Sequence, residues 1–528
     1  MEAFCQKHEA KIAGVLSCFD RMLFRGYLPI MSGASMAQFL KSEQVNCGNL
    51  KQFLVETGQR LKGHGERLAA QAGRPFEYLG HAGVRMERRA RELAERDGIR
   101  EGLVCVFSKL EPCRTFSFKY RKEDALVKPA QRKCLHLYYY YMEREFGLVH
   151  VQVQTWFPLR MQVFVNGHDW LARKLTAAKI PYTQCDNVFV GIGDVERAQR
   201  FSDRMTGLKW PAILNALARR VNPLMGTLLG RMQYYWVTAQ CEYSTDVMFK
   251  SEAALKELYP KLISHSALCF GAKEIMGFLG KKLAGTFRGE YVSDLSELSN
   301  LSNLSTRSRY RLAGMRIKHR VKVNWIKMYD KAGSVLRVEM VINDPTAFKV
   351  RKHVRRRRSR VTLWVEMRKG VANLFRYRDV SLTANRRYLD ALAVVDDPTP
   401  AIQELDRITQ RRRTRRGQSV RAFNPLARED RQLFAALSSG EHHIRGFTNQ
   451  DLRAKLIESQ VLKTVTQTVQ QLAGKVSRLL RRLHLYGLIA KVPHARRWRV
   501  TKKGLRVFSS ALRLRDYVFP DLYATACA

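Results

Sequence analysis

Between Trp325 and Ile342 the chain carries a phenol, two cations and a carboxylate at spacings that can bring them together: Lys327, Tyr329, Arg337 and Glu339. The runs Trp325 to Lys331 and Val335 to Ile342 flank Ala332-Gly333-Ser334, and predict a β-hairpin with glycine in its loop. A three-residue loop sets Tyr329 opposite Arg337 and Lys327 opposite Glu339, and leaves Ile326, Met328, Val338 and Met340 on the other face. A two-residue loop would slip the register and mix the faces, which is costly when one face is buried. Cations beside a tyrosine lower its pKa and can stabilise charge developing on phosphorus. The same face also fits a solvated sheet with cross-strand ion pairs. A further carboxylate, Asp20, interrupts the apolar run Gly14 to Gly26. It fits a metal ligand, a turn residue or an ion-pair partner of Arg21 or Arg25.

The elements that must position these groups read as follows. Residues 315–323 alternate, with Arg316, Lys318, Arg320 and Lys322 on one face and Ile317, His319, Val321 and Val323 on the other, the period of a half-exposed strand. Gly14 to Gly26 reads as a strand pair. Helices are expected over 35–44, 50–71, 84–97, 170–178, 194–206 and 209–220. Strands are expected over 103–108, 115–120, 135–142, 147–157, 161–166 and 187–192. The four tyrosines 138–141 put two rings on each face, one pair in the core and one half-exposed. Residues 222–285 read as helical, and Ser293 to Ser305 is a low-complexity loop. No glycine-rich phosphate loop is present, which argues against an NTPase.

The chain has 528 residues and a net charge of +46. That excess disfavours a lone compact chain and calls for a polyanionic partner, nucleic acid before an anionic membrane. Residues 307–361 hold 18 Lys or Arg against three acids. Arg355, Arg356, Arg357 and Arg358 form one run, and Arg412 and Arg413 belong to a second; both suit phosphate contact without base reading. No stretch approaches 18 apolar residues and the N-terminus lacks a signal-peptide core, so a soluble, cytoplasmic, nucleoid-associated protein without membrane contact is expected. The ten cysteines form no Cys-x-x-Cys, against a zinc finger; Cys134 and His136, with Cys113 upstream, could share a metal or simply be buried.

In residues 425–518, Ala427 to Leu437 predicts a helix. Thr448 caps a second with Asp451 three residues on. Leu472 to Leu485 predicts a third, with Lys475, Arg478, Arg481 and Arg482 outward. Strands 488–492 and 498–501 then flank a tip carrying Arg496 and Arg497, and Lys502 starts a closing helix. This order, ending RRWRVTKKG, resembles the winged helix-turn-helix of MarR- and ArsR-type proteins, which implies DNA binding with the third helix in the major groove.

The hairpin IKMYDK…LRVE is similar to a segment of the rolling-circle replication initiators of plasmids and filamentous phage. That resemblance implies DNA nicking by a tyrosine, here Tyr310 upstream or Tyr329 itself, with a divalent metal on acidic ligands. Asp20 and Glu339 would then hold Mg²⁺ or Mn²⁺, and the product would be a 5′-phosphotyrosine. No His-hydrophobe-His motif accompanies it. The whole chain also resembles a bacterial family of repeated, mobile-element-like copies.

The expected architecture is α+β and multidomain: an α+β domain over 1–285, a basic β-rich region over 286–390, a helical and basic linker over 391–424, and the winged helix over 425–518. The expected function is nucleic-acid binding, with metal-dependent DNA nicking or strand transfer. The alternative is a non-enzymatic DNA-binding regulator or a binder of structured RNA.

Overall fold

Long runs of β-branched and aromatic residues, broken by glycine-bearing turns, dominate the first two-thirds of the chain. A computed structural model describes residues 1–80, 85–121, 124–281, 291–293, 316–356, 359–395, 406–414, 417–438, 442, 446–462, 468–493, 495–520 and 523–524. Within them the protein is mixed α+β. Its strands are β1 (Ile12–Tyr27), β2 (Phe76–Tyr78), β3 (Gly102–Arg121), β4 (Asp124–Glu143), β5 (Gly147–Gln154), β6 (Met161–Asn166), β7 (Tyr182–Cys185), β8 (Val188–Ile192), β9 (Tyr235–Phe249), β10 (Tyr291–Ser293), β11 (Ile317–Val321), β12 (Asn324–Lys331), β13 (Val335–Ile342), β14 (Lys349–Arg356) and β15 (Ser359–Glu366), with two short pairs further on.

The chain folds into two compact units that interleave along the sequence. One comprises Met1–Ala13, Val247–Val338 and Thr383–Ala528; the other comprises Gly14–Asp246 and Glu339–Leu382. In the second unit the strand order is β13-β9-β1-β6-β5-β4-β3-β2, with β13 entering it at Glu339. The pairs β1/β6, β5/β6, β4/β5 and β3/β4 are antiparallel, and β2 runs parallel to β3. Its helices include Leu50–Gln71, Met86–Arg96, Gly167–Ala177, Val195–Arg204 and Trp210–Val221.

Four expectations change here. Residues 235–249 form a strand, not a helix. Gly14 to Gly26 lies in one 16-residue strand, not a pair. The segments 103–108 and 115–120 join into the single β3. Tyr138 to Tyr141 are all buried, because helices and loops cover both faces of β4; Tyr138 and Tyr140 pack with Ala90 and Leu93 of the helix Met86–Arg96.

The first unit holds the order β10-β11-β12-β13 and the C-terminal elements. Strand β12 alternates as expected: Ile326 and Met328 are buried, whereas Trp325, Lys327, Tyr329 and Lys331 are half-buried. The three-residue connection to β13 holds Ala332 at φ +53° and Gly333 at +74°. Strand β11 stops at Val321, because Lys322 turns the chain at φ +56° and Asn324 pairs back with Val321. Val323 is therefore 44% exposed rather than inward.

Among the C-terminal residues the helices are Arg428–Leu437, Asn449–Glu458, Val469–Leu485 and Lys502–Arg513, with the strand pair Ile489–Lys491 and Trp498–Val500 between the last two. Thr448 accepts from the backbone N–H of Asp451 while Asp451 accepts from that of Thr448. One apolar cluster, including Leu433, Phe434, Leu452, Val476, Leu480, Leu483 and Phe508, holds these helices together. No helix among the described residues is long and apolar enough to cross a membrane.

Candidate metal centre

Asp20 lies on β1, just past the point where Arg21 pairs with Asn166 at the end of β6. There the chain turns into the helix Gly167–Ala177. The Asn166 side chain caps it, accepting from the backbone N–H groups of His168 and Asp169. A Cβ at Gly167 would stand 2.0 Å from the Phe19 carbonyl oxygen, so only glycine lets this helix start against β1. The approach carries His168 to Asp20: its Nδ1 is 3.5 Å from Asp20 Oδ1, and its Nε2 is 3.3 Å from Asp246 Oδ2 on β9. The turn between β7 and β8, with Asp186 at φ +54°, delivers Asn187, whose Nδ2 donates to Asp20 Oδ1 at 2.8 Å. Asp20 thus takes neither arginine as partner: Arg21 reaches Glu87 at 3.6 Å, and Arg25 donates to Gln162.

Across the strands β1, β9 and β13, the carboxylates of Asp20, Glu242 and Glu339 come together, each offering an oxygen within 4.8 Å of the others. Asp20 and Glu339 are buried. Glu242, taken as a whole residue, is half-buried. Gln240 Nε2 donates to Glu242 Oε1 at 3.1 Å and fixes its direction. An ion with oxygen ligands at roughly 2.0–2.6 Å keeps those oxygens ~3 to 5 Å apart, so the three carboxylates could hold one divalent ion. A divalent cation held there would offset the charge of the three carboxylates. The hydrogen bonds from Asn187 to Asp20 and from Gln240 to Glu242 are of the kind that orients metal ligands.

Asp20 and Glu339, singled out from sequence, are thus brought together. Glu242 was missed, because its stretch read as helical. The signal was there in the β-branched and aromatic residues of YWVTAQCEYSTDVMF. Tyr329 and Lys327 are half-buried on β12 in the first unit. Arg337 and Glu339 are fully buried, since every residue of β13 is covered. They therefore line no open groove. Tyr310, Arg357 and Arg358 lie outside the described residues.

Of the expected phosphate contacts, Arg316, Arg320 and Lys322 are exposed, and Lys318 sets its ammonium 4.5 Å from the Trp325 ring. Arg355 and Arg356 close β14. Arg413, Arg478, Arg481 and Arg496 are exposed, and Lys475 is half-buried. Arg412 lies 5.1 Å from the Tyr486 ring, and Arg497 donates to the Gly446 carbonyl. Arg482, expected outward, turns in. It sits 3.7 Å from the Phe423 ring, donates to the carbonyls of Arg421 and Ala422, and pairs with Asp430. Helical spacing counts it as outward, but the segment 421–423 covers that side.

Cys134 Sγ stands 3.9 Å from His136 Nδ1. Burial raises the Cys134 thiol and lowers the His136 imidazole below its ordinary value. Among the described residues, Asp20, Glu242 and Glu339 form the one group of three or more His, Cys, Asp or Glu side chains that could share an ion, and Cys113, Cys134 and His136 form none. No family model, curated protein or solved structure matches the chain.

Proposed function

We propose that the protein binds DNA and cuts or rejoins it with a divalent metal ion held by Asp20, Glu242 and Glu339. The observation that carries this reading is the convergence of three carboxylates within 4.8 Å in a chain of net charge +46. A cluster of like charges is expensive to enclose, and a protein so rich in cations that still concentrates acids at one place keeps them for a task. Mg²⁺ or Mn²⁺ fits an all-oxygen site. Bound there, the ion would offset charge on a phosphodiester oxygen. The C-terminal helices with the pair Ile489–Lys491 and Trp498–Val500 would act as a winged helix-turn-helix on duplex DNA. There Val469, Gln470 and Gln471 are exposed at the start of the third helix, followed by Arg478 and Arg481.

The experiment incubates the full chain with end-labelled single-stranded and duplex DNA and Mg²⁺ or Mn²⁺. Metal-dependent nicks are expected, and they should be lost in Asp20→Asn, Glu242→Gln and Glu339→Gln with binding retained. Binding without any metal-dependent cleavage would leave a DNA-binding regulator, and binding insensitive to salt would sink the phosphate reading altogether.

A further inference from the structure

We propose that the hairpin β14–β15 carries a stacking platform for an unpaired base of single-stranded DNA, centred on Trp364. The inference rests on the nucleic-acid part of the reading above and is independent of the metal centre. Trp364 is 55% exposed, an unusual setting for an indole in a structural role. Arg351 is its cross-strand partner on β14, with the guanidinium carbon 6.0 Å from the ring centroid. Arg376, from the helix Leu374–Leu392, places its own at 5.3 Å. Arg376 is anchored, since its Nε donates to the Lys349 carbonyl at 2.8 Å. Two cations therefore hold the ring while more than half of the residue stays open.

The surroundings select the partner. Lys349, Lys352, Arg368 and Lys369 are exposed. From Lys349 to Lys369 the chain has ten Lys or Arg and one acid, Glu366. A polyanion is required to match that charge. An open aromatic ring beside guanidinium groups suits a base flanked by phosphates, because stacking on the ring tolerates any base while the arginines take the backbone. A duplex hides the faces of its bases, so the occupant is single-stranded.

The test measures fluorescence anisotropy of a labelled oligothymidylate of about 20 nucleotides, and of a duplex of equal length, with the full chain. Trp364→Ala should weaken single-strand binding by about tenfold or more, leave duplex binding unchanged and leave the melting midpoint unchanged, while Trp364→Phe recovers most of the affinity. Wild-type binding to the single strand with no loss in Trp364→Ala overturns the platform and leaves the nucleic-acid reading standing. So does an equal loss on strand and duplex. Failure of the wild type to bind either DNA overturns the nucleic-acid reading itself, and the platform with it.

Discussion

Replacing Glu242 by Gln removes one of three charges whose nearest oxygens lie within 4.8 Å of one another, and leaves a side chain of the same shape. At that separation, with an effective dielectric constant of about 20, two carboxylates repel by about 3 kcal/mol. Glu242 has two such neighbours, but it is half-buried and solvent screens part of the interaction. A net gain of about 1–2 kcal/mol is therefore expected for Glu242→Gln without metal. Unfolding of a unit this large shifts by roughly 2 °C per kcal/mol, so the variant should melt about 2–4 °C above the wild type in a chelator. With Mn²⁺ the order reverses. An ion at a hundred times its dissociation constant stabilises the wild type by about 2.7 kcal/mol, or about 5 °C, while a site lacking one carboxylate responds by less than about 1 °C. Calorimetric melts with and without Mn²⁺ check both halves. A variant that melts below the wild type in chelator and gains as much from Mn²⁺ would show that the carboxylate is structural and holds no ion.

Gly167→Ala should cost about 1–3 kcal/mol and weaken the Mn²⁺ response, because the helix must retreat from Phe19 and take His168 with it; Gly191→Ala, which meets nothing within 4 Å, is the neutral control. Burial, aided by Glu252 and opposed by the Gly333 backbone, pushes the Asp330 carboxyl up to about 6. The folded state then holds this proton more tightly than the unfolded one, so stability declines as pH rises from about 4 to 6. Asp330→Asn should remove that slope and gain about 1–2 kcal/mol at pH 7.5, and denaturant titrations giving equal slopes would refute it. Arg482→Ala should destabilise the C-terminal cluster by about 2–3 kcal/mol by leaving Asp430 without its cation. Arg478→Ala with Arg481→Ala should melt like the wild type and lower duplex affinity alone, as read by parallel melts and gel shifts.

Local pattern alone determined several features of this protein. The cap at Thr448 and the period of Val476, Leu480 and Leu483 set the C-terminal helices, because a helix end and a helix face are decided within a few residues. The alternation from Ile326 to Lys331 and the loop at Gly333 set β12 and its connection for the same reason. The charge excess was legible from composition. What alternation cannot report is whether a second layer covers the outer face, and that decided β13, where Arg337 and Glu339 read as surface residues and are buried. Arg482 is the helical counterpart: its spacing points outward, and only the packing of residues 421–423 turns it in. The acidic group depended most on tertiary structure. Its members are residues 20, 242 and 339, and their meeting follows from β1, β9 and β13 lying side by side, with Gly167 letting a helix start where a Cβ would stand 2.0 Å from the Phe19 carbonyl oxygen. No local propensity encodes contacts across such separations; they exist because strand pairing satisfies the backbone of all three strands at once.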